Sequence, residues 1–304
     1  MNMNVEKVAM LKAAQNAVVA AHTYQSPDIQ FMADILGDSF ALAQKAAETD
    51  AETVYMCGVR FMAEGVKILA PQKRVILVEP SADCPMARQI SPESVVEFRK
   101  KHPEYAVVAY INTTAELKAV ADVCVTSSSA VKIVRSLPER DILFIPDKNL
   151  GDYVSRQVPE KRILTWEGYC PVHHGVTAAA VIAAKSEYPA AKVVIHPECP
   201  PEAVALADMT GSTAAIIEYI KETCAAGGEV IVATERGVVD RYSPDYPGLL
   251  HQLDADILTC PDMKRTTADS LLAAMEGHGG EEIILEPARA DAARNSLVRM
   301  IELG

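Results

Sequence analysis

The segment AVVAAHTYQ from Ala17 returns as AVVAYINTT from Ala106 and as AKVVIHPEC from Ala191. Val19 lies 89 residues before Val108, and Val108 lies 86 before Val194. A repeat of fixed period restricts a chain to copies of one supersecondary unit. Later segments keep the order: VTSSSAV from Val125 resembles MTGSTAA from Met209, and RVILVEP, DILFIPD and EVIVATE begin at Arg74, Asp141 and Glu229. Short β-branched runs alternate with Ala-rich helical stretches, which is the α/β pattern. We therefore expect three related α/β/α units around a pseudo-threefold axis, each a small parallel sheet with helices on both faces, and a site at their central junction. The expected boundaries are 1–92, 93–176 and 177–268, with a C-terminal helical segment, 269–304, packing back on the core. Strands are expected at Ala17–Ala21, Thr53–Cys57, Arg74–Val78, Ala106–Ile111, Asp122–Thr126, Asp141–Ile145, Lys192–His196, Ala207–Thr210 and Glu229–Ala233, with a short one at Ile283–Leu285. Helices are expected at Asp28–Leu36, Ser39–Thr49, Phe61–Leu69, Pro92–Lys101, Ala178–Tyr188, Thr213–Ala225 and Thr267–Glu276.

Composition excludes several classes. With 304 residues and 49% hydrophobic content, the chain can bury a large core and is not intrinsically disordered. Its net charge of −12 argues against nucleic acid as a partner and against docking on anionic lipid. No run reaches the roughly 18 apolar residues of a membrane helix. The stretch Met1–Lys12 carries Glu6, Lys7 and Lys12 and does not read as a signal peptide, so the cytoplasm is the expected location.

Parallel α/β sheets bind ligands at the carboxyl ends of their strands. Here those ends read His22-Thr23-Tyr24, Tyr110-Ile111-Asn112, His196-Pro197-Glu198, Thr126-Ser127 and Gly211-Ser212-Thr213. Singly, each Ser or Thr reads as a cap or turn residue. As a set on one edge they mark a site.

Seven cysteines, an odd number with no C-x-x-C, argue against a disulfide framework. Cys84, Cys170 and Cys260 lie 86 and 90 residues apart, and each precedes a proline. Proline at a first helical position puts each sulfur at a helix start, where the dipole would favour a thiolate. One such cysteine per unit brings three thiolates together. A structural zinc site would ask for four ligands. An iron–sulfur cube on three cysteines leaves one iron open as a Lewis acid, and zinc on three cysteines is the alternative. Cys199-Pro200 breaks the period, and Cys57, Cys124 and Cys224 read as packing residues.

The motifs together resemble the quinolinate synthase A family of de novo NAD synthesis. The matching segments are His22-Thr23-Tyr24-Gln25, Gly37-Asp38-Ser39, Phe61-Met62-Ala63-Glu64, Asp83-Cys84-Pro85-Met86, Tyr110-Ile111-Asn112-Thr113 and Cys124-Val125-Thr126-Ser127. They continue with Pro146-Asp147-Lys148-Asn149-Leu150-Gly151, Cys170-Pro171-Val172-His173, His196-Pro197-Glu198-Cys199, Gly211-Ser212-Thr213, Thr234-Glu235 and Cys260 with Met263-Lys264. This resemblance implies an enzyme that condenses iminosuccinate (iminoaspartate) with dihydroxyacetone phosphate to quinolinate, phosphate and water. It implies a [4Fe–4S] cluster on Cys84, Cys170 and Cys260, with the fourth iron open to substrate. Tyr24 and Tyr110 would stand beside the cluster as proton donors, and Glu198 would be the general base, oriented by His196. His22, Ser39, Asn112 and Ser127 would contact carboxylates, with Tyr110, Ile111, His196, Pro197 and Glu198 also in the substrate-binding set. Ser39 would open its helix at a place favourable to an anion, and Ser212 and Thr213 would cradle the phosphate. A transient contact with the aspartate oxidase or dehydrogenase that makes the imine is a further implied partner. A non-catalytic cluster sensor and a different cluster-dependent hydro-lyase are the competing functions. His174 and Arg236 depart from the family pattern, and Pro261-Asp262-Met263 after Cys260 leaves no local redox disulfide there.

Overall fold

A computed structural model describes residues 3–304 of the chain. The first sheet contains β1 (Ala17–His22), β2 (Ile35–Gly37), β3 (Thr53–Cys57) and β4 (Arg74–Leu77), paired in parallel in the order β4-β3-β1-β2. The second contains β5 (Ala106–Tyr110), β6 (Val123–Val125), β7 (Asp141–Ile145) and β8 (Arg162–Thr165), ordered β8-β7-β5-β6. The third contains β9 (Lys192–Ile195), β10 (Met209–Thr210), β11 (Val230–Ala233) and β12 (Leu250–Gln252), ordered β12-β11-β9-β10. One strand order is thus used three times, and the three-unit α/β architecture expected from the repeat is the observed one. A last strand, β13 (Glu281–Glu282), joins β4 antiparallel. No helix among the described residues is long and apolar enough to cross a membrane.

A small electrostatic device recurs with the sheets. Asp34, Asp122 and Asp208 stand just before β2, β6 and β10. Their Oδ2 atoms accept the N–H of Val19 at 2.8 Å, Val107 at 2.7 Å and Val193 at 2.9 Å. Their own N–H groups donate to the carbonyls of the same three valines at 2.9 Å. A cation from the helix before β1, β5 or β9 meets each carboxylate: Lys12 at 2.6 Å, Arg99 at 2.6 Å and Lys185 at 3.4 Å. Each aspartate therefore ends the chain's excursion and sets the register of the edge strand against the central one.

Three expectations need correction. The helix expected over Asp28–Leu36 stops at Met32, and Ile35–Gly37 is β2. Asp34 is drawn back to Val19, so the backbone turns extended although the apolar pattern runs on. The segment from Arg74 is not the counterpart of those from Asp141 and Glu229. Topology makes β3 the counterpart of β7 and β11, whereas β4 matches β8 and β12, which the sequence reading missed. The late strand falls on Glu281–Glu282 rather than Ile283–Leu285. Arg60 pairs with Glu281 at 2.6 Å and Arg74 with Glu282 at 2.9 Å, while Ile284 stays exposed.

The first two units share a continuous core, built from Val54, Met56, Val66 and Leu77 with Val107, Leu117, Ile133 and Phe144. The helix Pro287–Leu303 covers the seam with Ala293, Leu297 and Met300, and Arg294 donates to the carbonyls of Ile68 and Leu69. The third unit has its own clusters, one on each sheet face. Tyr24 packs against the shared core and against the third unit, so it sits at their meeting point.

Replacing Asp122 by Ala leaves the Val107 N–H without its acceptor and should lower unfolding stability by about 1–3 kcal/mol in urea titrations. A change within experimental error would show that water replaces the carboxylate there.

Candidate active site

Parallel pairing points all three sheets' carboxyl ends the same way within each unit, and the loops leaving them meet around one central cavity. Its volume open to the centres of water molecules is about 110 Å³, and one water needs on the order of 10–15 Å³ of such space. The cavity can therefore take a ligand of several atoms. It is lined by His22, Tyr24, Asp38, Ser39, Phe61 and Met62 from the first unit, and by Tyr110, Ile111, Asn112 and Ser127 from the second. His196, Glu198, Thr213 and Glu235 come from the third. Cys84, Cys170 and Cys260 line the same space, although 176 residues separate the first from the last. Of the candidate catalytic, substrate-binding and cluster-holding residues, only Pro197 and Ser212 are not part of its lining.

All three cysteines are free thiols. Cys84 and Cys170 cap short helical turns at Pro85–Arg88 and Pro171–His174, and Cys260 precedes another at Met263–Arg265. The thiolate expected from helix dipoles does not follow. Turns of three or four residues carry little dipole, and burial pushes all three thiols up, Cys260 to about 11. Backbone N–H groups partly oppose burial: those of Ala87 and Met86 at Cys84, of His173 at Cys170, and of Met263 and Asp262 at Cys260. Partly buried, disulfide-free sulfurs from three units, each facing backbone N–H donors, are the donor set an iron–sulfur cluster on three thiolates requires.

Glu198 is the electrostatic centre. Burial alone would raise its carboxyl, but His196 and His173 beside it, with hydrogen bonds from His173 and Tyr110, hold it below the ordinary carboxylate range. His173 Nδ1 lies 2.7 Å from Glu198 Oε2, and His173 Nε2 lies 3.0 Å from the Thr234 hydroxyl. Thr234 Oγ1 is 2.9 Å from the Tyr24 hydroxyl, which is 2.7 Å from Thr213 Oγ1. An ionised Glu198 accepts from His173 Nδ1–H, and this sets the direction of the chain: Thr213 donates to Tyr24, Tyr24 to Thr234, and Thr234 to His173. Burial and the Glu198 charge push the phenols of Tyr24 and Tyr110 up, so both keep their protons and act as donors. His196 does not donate from Nδ1 to Glu198; that nitrogen accepts the Glu198 N–H at 3.3 Å. Burial drives the His22 and His196 imidazoles down to about 3, which leaves them neutral.

A second buried group fastens the units. Glu235 is fully buried, meets Lys264 Nζ at 3.0 Å and accepts the N–H of Gly237 at 2.6 Å and of Cys260 at 3.2 Å. Lys264 also donates to the Tyr24 carbonyl at 2.6 Å. Gly237 comes so close that an added Cβ would stand 2.7 Å from the Thr23 carbonyl oxygen and 2.8 Å from Tyr24 Cα. Only glycine permits this approach between the third and first units.

The helix after β2 is capped by Asp38, whose carboxylate accepts the Ala41 N–H at 3.0 Å, and not by Ser39. An acidic cap already serves that helix end, so the anion-favouring start expected at Ser39 is absent. Ser212 does cap Thr213–Ala225, accepting the Ala215 N–H. The reading from motifs missed His173, although its position three residues after Cys170 on one turn was a signal. It also gave no role to Asp147 and Asn149. Asn149 donates to the Glu198 carbonyl at 2.7 Å and contacts His174 Nδ1 at 3.0 Å. Asp147 is fully buried and caps Lys148–Gln157 by accepting the Leu150 N–H at 2.9 Å. Arg236 pairs with Asp240 on the surface side of its helix.

Three like α/β units that turn one cysteine each into a shared buried cavity, beside a histidine-flanked carboxylate, define a class of three-lobed α/β proteins with a single junctional site. Comparison narrows the class: the family described as Quinolinate synthetase A protein matches residues 6–302, and the chain belongs to that family. It is 43% identical over 305 residues to the quinolinate synthase of Caldicellulosiruptor saccharolyticus, covering 99% of this chain and 100% of the relative. It is 42% identical over 299 residues to that of Alkaliphilus metalliredigens, covering 98% of each. To that of Clostridioides difficile it is 40% identical over 297 residues, with 98% and 97% covered.

The neutral His22 yields a pH test. Its folded value of about 3 lies below that of an unfolded histidine, about 6.5, so the unfolded chain binds the extra proton as pH falls through this window. Stability from this group is full above the unfolded value and declines below it. His22→Asn should remove about 2 kcal/mol of the stability loss between pH 7 and pH 5, read from urea unfolding at both values. Identical losses in both proteins would mean that His22 is protonated when folded.

Proposed function

We propose that the chain is a quinolinate synthase that condenses iminosuccinate with dihydroxyacetone phosphate, giving quinolinate, phosphate and water. The observation that carries this reading is the meeting of Cys84, Cys170 and Cys260 with Tyr24, Tyr110 and Glu198 around one cavity. The three cysteines would hold a [4Fe–4S] cluster, which would supply Lewis acidity at an iron left free of protein ligands.

The chain's own residues supply the rest. The Asn112 Oδ1 is buried without a partner among the described residues, which suits a group waiting for a ligand donor. His22, Ser39, Asn112 and Ser127 would orient the carboxylates of the imine. Their polarity answers two anionic substrates in a protein of net charge −12. Thr213, at the start of Thr213–Ala225, would hold the phosphate with backbone N–H groups of that helix end other than that of Ala215, which Ser212 takes. Glu198 would take a carbon-bound proton and pass it on through His173 or Tyr110. Once the Thr234 hydroxyl and the His173 tautomer reverse, the file from Glu198 through His173 and Thr234 would let the phenol of Tyr24 recover a proton from the same carboxylate. Enclosure by three units keeps water from the imine, which hydrolyses readily. In that role the protein would work in the cytoplasm, in transient contact with the oxidase or dehydrogenase that makes the imine.

Oxygen-free protein should form quinolinate from the two substrates and carry four irons and four sulfides per chain. Ala at Cys84, Cys170 or Cys260 should each abolish the cluster. Glu198→Gln should keep the cluster spectrum and lower turnover by about 10²-fold or more. Full activity in a preparation without iron and sulfide would overturn the reading, and normal turnover by Glu198→Gln would remove that residue from proton transfer.

A further inference from the structure

Cys170 Sγ, His173 Nδ1 and a Glu198 carboxylate oxygen lie within 4.8 Å of one another. This donor set differs from the three cysteines, with which it shares only Cys170. Cys170 and His173 belong to one helical turn, which brings Sγ and Nδ1 to 3.4 Å. Glu198 Oε2 reaches the same nitrogen from the third unit at 2.7 Å. Tetrahedral zinc, with bonds of about 2.0–2.3 Å, holds neighbouring ligand atoms roughly 3.3–3.7 Å apart. The sulfur–nitrogen pair already has that spacing. The nitrogen–oxygen pair would open by about half an ångström as an ion replaces the proton between them.

The groups behind these ligands are those a metal site needs. The Thr234 hydroxyl meets His173 Nε2 at 3.0 Å, Tyr110 donates to the Glu198 carboxylate, and Asn149 pins the Glu198 carbonyl at 2.7 Å. A thiolate, a carboxylate and a neutral imidazole together carry two negative charges, so a divalent ion leaves this buried spot neutral. Mixed sulfur, nitrogen and oxygen donors suit zinc, cobalt(II) and iron(II), and disfavour magnesium and calcium.

We propose that the cluster-free chain binds one thiophilic divalent cation of the zinc class at Cys170, His173 and Glu198, with its fourth position facing the cavity, and that this ion blocks cluster assembly by occupying Cys170. The cation site stands on geometry alone; the block rests on the cluster reading above. Binding forms three coordinate bonds and releases the Cys170 thiol proton to solvent, while the imidazole proton moves from Nδ1 to Nε2 and the Thr234 hydroxyl turns from donating to Nε2 to accepting from its N–H.

The test is a titration of reduced, cluster-free protein with cobalt(II) alone, under argon. One cobalt per chain should bind, with a sulfur-to-cobalt charge-transfer band and the visible bands of a four-coordinate site. The double variant Cys84→Ala/Cys260→Ala, which lacks two cluster ligands, should bind equally well. Cys170→Ala should lose the charge-transfer band, and His173→Asn and Glu198→Gln should each weaken binding by about tenfold or more, with circular dichroism confirming that each is folded. No band in the wild type, loss of the band in the double variant, or unchanged affinity in both His173→Asn and Glu198→Gln would overturn the site. Wild-type protein given one equivalent of zinc should then rebuild its cluster from iron and sulfide more slowly than zinc-free protein, and a chelator should restore the rate. Equal rates would overturn the block, whereas failure of zinc-free protein to form any cluster would count against the proposed function and leave the cation site standing.

Discussion

The buried carboxylate of Glu235 is the constraint on which the junction depends. It cannot be left without partners, because an uncompensated charge in the interior costs about 3–5 kcal/mol. Its partners are drawn from three places: Lys264, the Cys260 N–H and the Gly237 N–H. Lys264 then reaches the Tyr24 carbonyl in another unit. Satisfying this one group therefore fixes the third cysteine's loop against the third sheet and fixes the Tyr24 loop against both. The site geometry is a by-product of satisfying a buried charge.

The same logic extends through the cavity. Glu198 is buried, and its carboxyl is held low by His196 and His173 beside it and by the hydrogen bonds of His173 and Tyr110. Thr234 holds His173, and Asn149 holds the Glu198 backbone. Residues that never touch the cavity thus set the distance between the carboxylate and Cys170. The Pro146–Gly151 motif belongs to this supporting layer, which explains why it stood out in the sequence without suggesting any chemistry of its own. The close sulfur, nitrogen and carboxylate oxygen of Cys170, His173 and Glu198 are the donor set on which the proposed cation site rests.

Much of this was readable in the chain itself. The period of the β1, β5 and β9 segments, the matched Cys84, Cys170 and Cys260, and the polar strand exits established the unit, its number and the edge carrying the site. Local patterns such as these depend on alternation and on backbone demands that each segment meets alone. The three aspartates at 34, 122 and 208 were readable in principle too, since each lies 15 residues after its valine.

Other features emerged only when the units were packed together. β2 was hidden inside an apolar run that reads as helix until Asp34 is seen to bond Val19. β8 and β12 are short edge strands whose pairing comes from their neighbours rather than from their own composition. The thiols of the three cysteines were pushed up by burial, against what their helix starts suggested. His173 gained its place because Thr234 and Glu198, 61 and 25 residues away, converge on its two nitrogens. Repeats and strand exits are written locally and so could be read in order. Ionisation states, edge pairings and the partners of Glu198 depend on groups distant in sequence, and only the folded arrangement of the three units brings those groups together.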